Sequence, residues 1–193
     1  MNTTESLSAK IGLQQHKVDY NSWPIDWLAN YIEKLQRKTL TEKSKAIQQN
    51  ISLVRASCIN QNNYFMQLEA LFTQSATRLW AHTQKEEQHL FPFVRKMVQA
   101  KELNRCINPI ETEKIEALIK LLNTEHAAEN NQLKLSATLK QNYEPTANLN
   151  RQVNTLFTAL VAFEQAFELH IYLQANFLFP KIIASKYALG IVK

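Results

Sequence analysis

Four residues define the chemistry open to this chain: His82 and Glu86, four positions apart, and the distant His126 and His170. Imidazole nitrogens and carboxylate oxygens are the ligands that zinc and iron(II) take. On a helix, the i, i+4 spacing puts His82 and Glu86 on one face with Cβ atoms roughly 6 Å apart. A lone histidine on a helix is ordinarily a surface or core residue. Three on three helices, two of them tied by a repeat, are what a metal site inside a helix bundle requires. The repeat is explicit: His82…Leu90-Phe91-Pro92 and His170…Leu178-Phe179-Pro180 match in residue type and spacing, 88 positions apart. Two helix pairs related by pseudo-symmetry are therefore expected, the second helix equivalent to the fourth and the first to the third. Each proline falls inside a helical pattern, where it forfeits a backbone hydrogen bond and should bend the helix.

The elements that must position these residues are legible in the pattern. Asn21-Ser22-Trp23-Pro24 reads as a helix start, with Ser22 able to cap, Pro24 suited to the first turn and Asp26 complementing the helix dipole. Apolar residues at Trp27, Leu28, Tyr31, Ile32 and Leu35 have helical spacing, and a helix is expected from about Pro24 to Cys58. The polar cluster Asn60 to Asn63 ends it. A second helix is expected over about Tyr64 to Ala100, a loop at Asn104 to Pro109, a third helix over about Glu111 to Gln141, a stop at Asn142-Tyr143-Glu144-Pro145, and a fourth helix over about Asn148 to Ser185. The expected fold is all-α: an up-down-up-down four-helix bundle over residues 21–186, behind a polar lead-in of residues 1–20 and ahead of a short tail, 187–193.

Composition excludes other classes. The chain has 193 residues and two glycines, Gly12 and Gly190, so the turns on which sheet proteins and phosphate-binding loops depend are missing. With no GxSxG motif or P-loop, neither nucleophilic catalysis nor a nucleotide cofactor is expected, and no residue is assigned a catalytic role. The net charge of +5 is scattered; its densest group, Lys34, Arg37, Lys38, Lys43 and Lys45, reads as a solvated helix face rather than a nucleic-acid footprint. Cys58 and Cys106 have no metal-finger spacing and fit a reducing cytoplasm. No signal peptide and no membrane span are expected. His89, seven residues past His82 and about 10 Å along the axis, is too far to share an ion and reads as a core position holding a polar ring.

With these residues in place, the chain resembles a known family. Asn21-Ser22-Trp23-Pro24, Tyr31-Ile32, His82…Glu86-Glu87…Leu90-Phe91-Pro92, Glu125-His126 and His170-Ile171…Leu178-Phe179-Pro180-Lys181 are similar to the hemerythrin-like di-iron proteins for repair of iron centres, over about Tyr20 to Ile183. The resemblance implies a hemerythrin-like bundle, bound iron, and a role in restoring iron–sulfur clusters after nitrosative or oxidative stress. It also implies an iron–sulfur protein or a second copy of the chain as partner. The cysteine-bearing N-terminal domain of many members has no counterpart here.

The departures are as informative. The family has paired histidines on the first helix after Tyr-Ile, where this chain has Gln36-Arg37. It has another histidine near the end of that helix, where spacing puts Cys58. It has a glutamate four residues after the histidine of the fourth helix, where the repeat gives Gln174. The remaining ligand set is His82, Glu86, His126 and His170. Two readings stay open: a single ion, zinc or iron(II), with Cys58 able to join as thiolate, or no ion, with Arg37 pairing with Glu86 in its place. A full two-iron centre ranks behind both. The functional alternatives are a stress or repair protein with a metal site and a metal-free bundle acting as a non-catalytic interaction protein. Oxygen binding or sensing is weaker, because this ligand set is thin for two irons.

Overall fold

The computed structural model describes residues 18–57, 62–141 and 150–188. His16 with the rest of the lead-in, Cys58, the stop at Asn142-Tyr143-Glu144-Pro145 and the tail from residue 189 lie outside the described residues. Every regular element among the described residues is helical, and the helices group into four long ones: α1 (residues 25–57), α2 (62–102), α3 (109–141) and α4 (150–188). The ends read from the sequence agree to within three residues. α1 packs against α2 and α4, and α3 against the same two. The first part of α1 meets the last part of α2 and the reverse, so these neighbours run antiparallel in a helical bundle.

Local chemistry fixes the ends. α1 begins at Ile25, directly after Pro24, with Asp26 in its first turn. Ser22 does not cap it: its hydroxyl donates to the Asp19 carbonyl at 2.8 Å and closes a preceding turn. Where α2 ends, the Arg105 N–H reaches back to the Ala100 carbonyl at 2.8 Å. The chain turns there through Asn104, whose φ is 50°. Glycine usually supplies that left-handed residue; in a chain so poor in glycine, asparagine does. Asn108 then opens α3, its Oδ1 accepting the Ile110 N–H at 2.9 Å, and Pro109 takes the first helical position.

Three helices contain a π-helical stretch: Gln36–Glu42 in α1, Glu86–Leu90 in α2 and Gln174–Leu178 in α4. The repeat explains two of them. Pro92 and Pro180 have no N–H to give, and just ahead of each the helix widens by one bond: the Phe91 N–H donates to the Glu86 carbonyl and the Phe179 N–H to the Gln174 carbonyl, five residues back. In α1 the Thr39 hydroxyl donates to the Leu35 carbonyl, taking the acceptor a regular turn would give to an amide. α3 has no such stretch among the described residues. α2 and α4 are thus copies in a sense that α1 and α3 are not.

The interior has two separate apolar clusters. One gathers Leu28, Ile32, Leu90, Phe91, Leu122 and Phe179, with their neighbours. The other gathers Leu40, Ile51, Phe65, Leu79, Leu156 and Phe167. A fully buried leucine or phenylalanine contributes about 1.5–3 kcal/mol, so these clusters carry the stability of the bundle. Between them each helix has polar residues on its inward stripe: Gln36 between Ile32 and Leu40, His82 and Glu86 between Leu79 and Leu90, His126 after Leu122, and His170 and Gln174 between Phe167 and Leu178. All six are buried.

One expectation about apolar runs changes. In α4 the stretch Arg151–Ser185 has the length and composition of a membrane-crossing helix, with mean hydropathy 1.2 and 33% of its apolar window buried. It is also the helix that carries Phe163, Phe167, His170 and Gln174 into the interior. A bundle helix with a wide apolar stripe meets the same test of length and composition.

Candidate metal centre

His82, Glu86, His126 and His170 converge. Each is buried, and one potential ligand atom from each lies within 4.8 Å of the others. The His82 Nε2 is 3.3 Å from Glu86 Oε1, the His170 Nε2 is 3.4 Å from the same oxygen, and the Nε2 atoms of His82 and His126 are 3.1 Å apart. Phe179 stacks on His126 with rings inclined by 10°, and Phe167 on His170 by 11°, so each ring is held against the apolar cluster beside it. The Gln174 amide donates to Glu86 Oε1. The two residues joined there are the same position in the two copies of the repeat. On the outer side, the His82 Nδ1–H points at Glu125 Oε2 at 2.9 Å, and Lys85 pairs with the other oxygen of Glu125.

The charges follow from this geometry. Burial alone would drive Glu86 toward its neutral form, but the adjacent His170 and His82 rings outweigh it and hold the carboxyl well below the usual carboxylate range. Burial likewise pulls His82 down, yet Glu86 and then Glu125 raise its pKa above the ordinary imidazole value. His126 is pushed down to about 3, first by burial and then by His82 and His170, so it stays neutral. Glu125 is held low, against burial, by Lys85 and His82. Glu86 and Glu125 thus favour positive charge at His82, the place where a metal ion would bring it.

The donor set fits one ion. Ligands at about 2.0–2.1 Å from a tetrahedral ion have donor atoms about 3.3–3.4 Å from one another, and the three separations of 3.1, 3.3 and 3.4 Å approach that edge. Several polar atoms of this layer have no protein partner among the described residues: Glu86 Oε2, both His170 ring nitrogens, His126 Nδ1, Gln174 Oε1 and both amide atoms of Gln36. Buried polar atoms normally have partners, and an ion is one group that could supply them here. A group of this kind could hold a metal ion; its residues offer three imidazoles and one carboxylate.

Arg37 does not stand in for the ion. Its side chain is 61% exposed and pairs with Glu33 at 2.8 Å and Glu87 at 3.2 Å, not with Glu86. The reason is helical phase. Leu28, Ile32 and Leu40 face inward at four-residue intervals, which puts Gln36 on that stripe and turns Arg37 about 100° away. Sequence reasoning passed over Gln36, although this stripe marks it. His89 is likewise exposed rather than in the core. Seven residues make two α-turns, but the wide turn Glu86–Leu90 lies between His82 and His89 and rotates His89 outward. Cys58 lies outside the described residues, and Cys106 is exposed. The basic group from Lys34 to Lys45 forms an exposed face as expected. Glu125 enters the sequence reading only as the neighbour of His126, without a role, and Lys85 not at all, since neither spacing nor type distinguishes them from surface charges. One turn beyond His126, Glu129 is buried; its carboxylate accepts the Ser75 hydroxyl at 2.5 Å and lies 3.7 Å from Arg78. Burial raises its pKa despite both. No protein-family model matches the chain.

Proposed function

We propose that the bundle binds one divalent metal ion through His82, Glu86, His126 and His170, and that it serves in the cytoplasm as a hemerythrin-like protein of iron–sulfur repair or stress defence. The convergence of three Nε2 atoms and one carboxylate in a layer closed above and below by apolar clusters carries the metal part. The resemblance over Tyr20 to Ile183 carries the rest. The residues favour one ion over two: a pair of ions asks for further anionic ligands, and the position facing Glu86 across the repeat is the neutral amide Gln174. A bound ion would supply Lewis-acid polarisation and, as iron, one-electron redox chemistry. The chain's own residues bind it, keep the layer dry and neutralise its charge with Glu86.

Anaerobic purification without a metal-affinity tag, followed by metal analysis, tests the first part; the expected result is one zinc or iron per chain. No binding of either ion, or two irons per chain, would overturn it. The second part is tested by adding the iron-loaded protein to a nitric-oxide-damaged iron–sulfur enzyme with fresh iron and thiol. Recovery no faster than with iron alone would remove the repair role. One observation favours a metal-free interaction protein instead: Glu86 Oε1 already accepts the Gln174 amide and has the His82 ring at 3.3 Å. High stability unchanged by chelator would mark that outcome.

A further inference from the structure

We infer that Glu125 is a positioning residue: it fixes His82 with Nδ1 outward, so that Nε2 is the atom His82 offers to the centre. The inference rests on the one-ion reading for its consequence on affinity, but not for the ring orientation itself.

The observations concern the atoms on the far side of each ring. His82 Nδ1 has a carboxylate oxygen at 2.9 Å, from Glu125. His126 Nδ1 and His170 Nδ1 have no protein partner among the described residues. These two imidazoles stack on Phe179 and Phe167 and make their polar contacts on the inner side, His126 Nε2 with His82 at 3.1 Å and His170 Nε2 with Glu86 at 3.4 Å, so nothing behind the ring specifies which nitrogen carries the proton. The third is held by a directed hydrogen bond that specifies which nitrogen carries it. A neutral imidazole has one N–H and one lone pair. Nε2 also faces a carboxylate oxygen, Glu86 Oε1, but at 3.3 Å against 2.9 Å for Glu125, and that oxygen already accepts the Gln174 amide. With the N–H committed to the shorter contact, the lone pair is at Nε2, beside His126 and His170.

Glu125 is itself held. Its second oxygen takes Lys85, three residues after His82 on α2, while Glu125 precedes His126 on α3. One helix thus supplies a candidate ligand and the ammonium, and the facing helix a candidate ligand and the carboxylate between them. The Lys85–Glu125 pair is itself half-buried, and a surface ion pair of this kind contributes little by itself. The contact to a ring that is 3% exposed is of another kind, because that N–H would otherwise be buried without an acceptor. Hydrogen-bonded carboxylates behind ligand histidines set ring tautomer and raise metal affinity, and their loss commonly weakens binding about 10–100-fold.

The test uses two independent readouts on the full chain. Imidazole 15N shifts of His82 are recorded at alkaline pH, without metal, in the wild type, Glu125→Ala, Glu125→Gln and Lys85→Ala. The expected result is a protonated Nδ1 and bare Nε2 in the wild type, in Glu125→Gln, whose amide oxygen can still accept, and in Lys85→Ala. In Glu125→Ala the two tautomers should mix. Zinc affinity by chelator competition should fall about 10–100-fold in Glu125→Ala, with most of the loss recovered in Glu125→Gln. An unchanged His82 tautomer in Glu125→Ala overturns the inference. So does an affinity loss in Glu125→Gln as large as in Glu125→Ala, which would indicate a requirement for charge alone. If the wild type binds no zinc, the one-ion reading fails while the 15N comparison still decides the role of Glu125. Should Glu125→Ala not fold, a wild-type spectrum with the proton on Nε2 would overturn it equally.

Discussion

The two sides of the polar layer are built on copies of one helix and behave differently. On α2, Glu86 carries charge and His82 is tied outward through Glu125 and Lys85. On α4, His170 and Gln174 occupy the same positions of the repeat, yet the amide is neutral, and His170 meets Glu86 at 3.4 Å while its Nδ1 has no protein partner among the described residues. The backbone is duplicated and the charge is not. The lesson is that proline and the apolar flanks fix where the side chains arrive, while a single change of atom type, oxygen to NH2 at Gln174, decides how much positive charge the layer can accept.

Mutations at the paired positions should separate the two sides most strongly. Glu86→Ala removes the buried carboxylate that His82, His170 and Gln174 all face, and is expected to cost about 3–5 kcal/mol in urea unfolding of the metal-free protein. Gln174→Ala is expected to cost about 1–3 kcal/mol, since only one acceptor is left bare. Equal losses would mean that the charge on Glu86 is not what distinguishes the sides. Adding zinc at a hundred times its dissociation constant stabilises by about 2.7 kcal/mol, which in a domain of this size raises the melting temperature by about 5–11 °C. Scanning calorimetry with and without chelator should show that shift in the wild type and none in Glu86→Ala.

Smaller effects sharpen the picture. Gln36→Leu would extend the Leu28–Ile32–Leu40 stripe across the layer and should stabilise the metal-free protein by about 1 kcal/mol or more, because a buried amide without a protein partner costs that much. Loss of stability would place a partner on Gln36. Glu129 faces Ser75, Arg78 and His82, and its folded pKa is raised by burial. Stability carried by such a group falls as pH rises from its unfolded value of about 4.3 through the folded one. Glu129→Gln should therefore raise the melting temperature at pH 7 and leave it unchanged at pH 4. Arg37→Ala, at an exposed ion pair, should change stability by less than about 1 kcal/mol and leave zinc affinity as it was.

How far the sequence could be read depends on which interactions set each feature. Helix positions and the grouping of His82, Glu86, His126 and His170 follow from periodicity and from the Leu-Phe-Pro repeat, which are local signals. The choice between Gln36 and Arg37 turns on 100° of helical phase; the stripe through Leu28, Ile32 and Leu40 contains that information, but family resemblance drew the eye to the pair as a unit. His89 was misplaced because a regular helix was assumed through Glu86–Leu90, and the wide turn is a response to Pro92 three residues beyond His89. Glu125 was illegible for a different reason. The pair Glu125-His126 belongs to the resemblance, but the role of Glu125 exists only across the α2–α3 contact, and nothing in its own neighbourhood of the chain states it.

The wide turns before Pro92 and Pro180 also bear on how the chain can change length. Each amounts to one residue more than a regular helix would need between the polar layer and the apolar cluster beyond it. Deleting one residue elsewhere in α2 or α4 would swing everything downstream by about 100° and turn half the core outward. Deleting one within residues 87–89 or 175–177 could be absorbed by tightening the turn to the regular hydrogen bond. The helices thus carry, next to their most exacting residues, the one stretch where losing a residue should leave the molecule in phase.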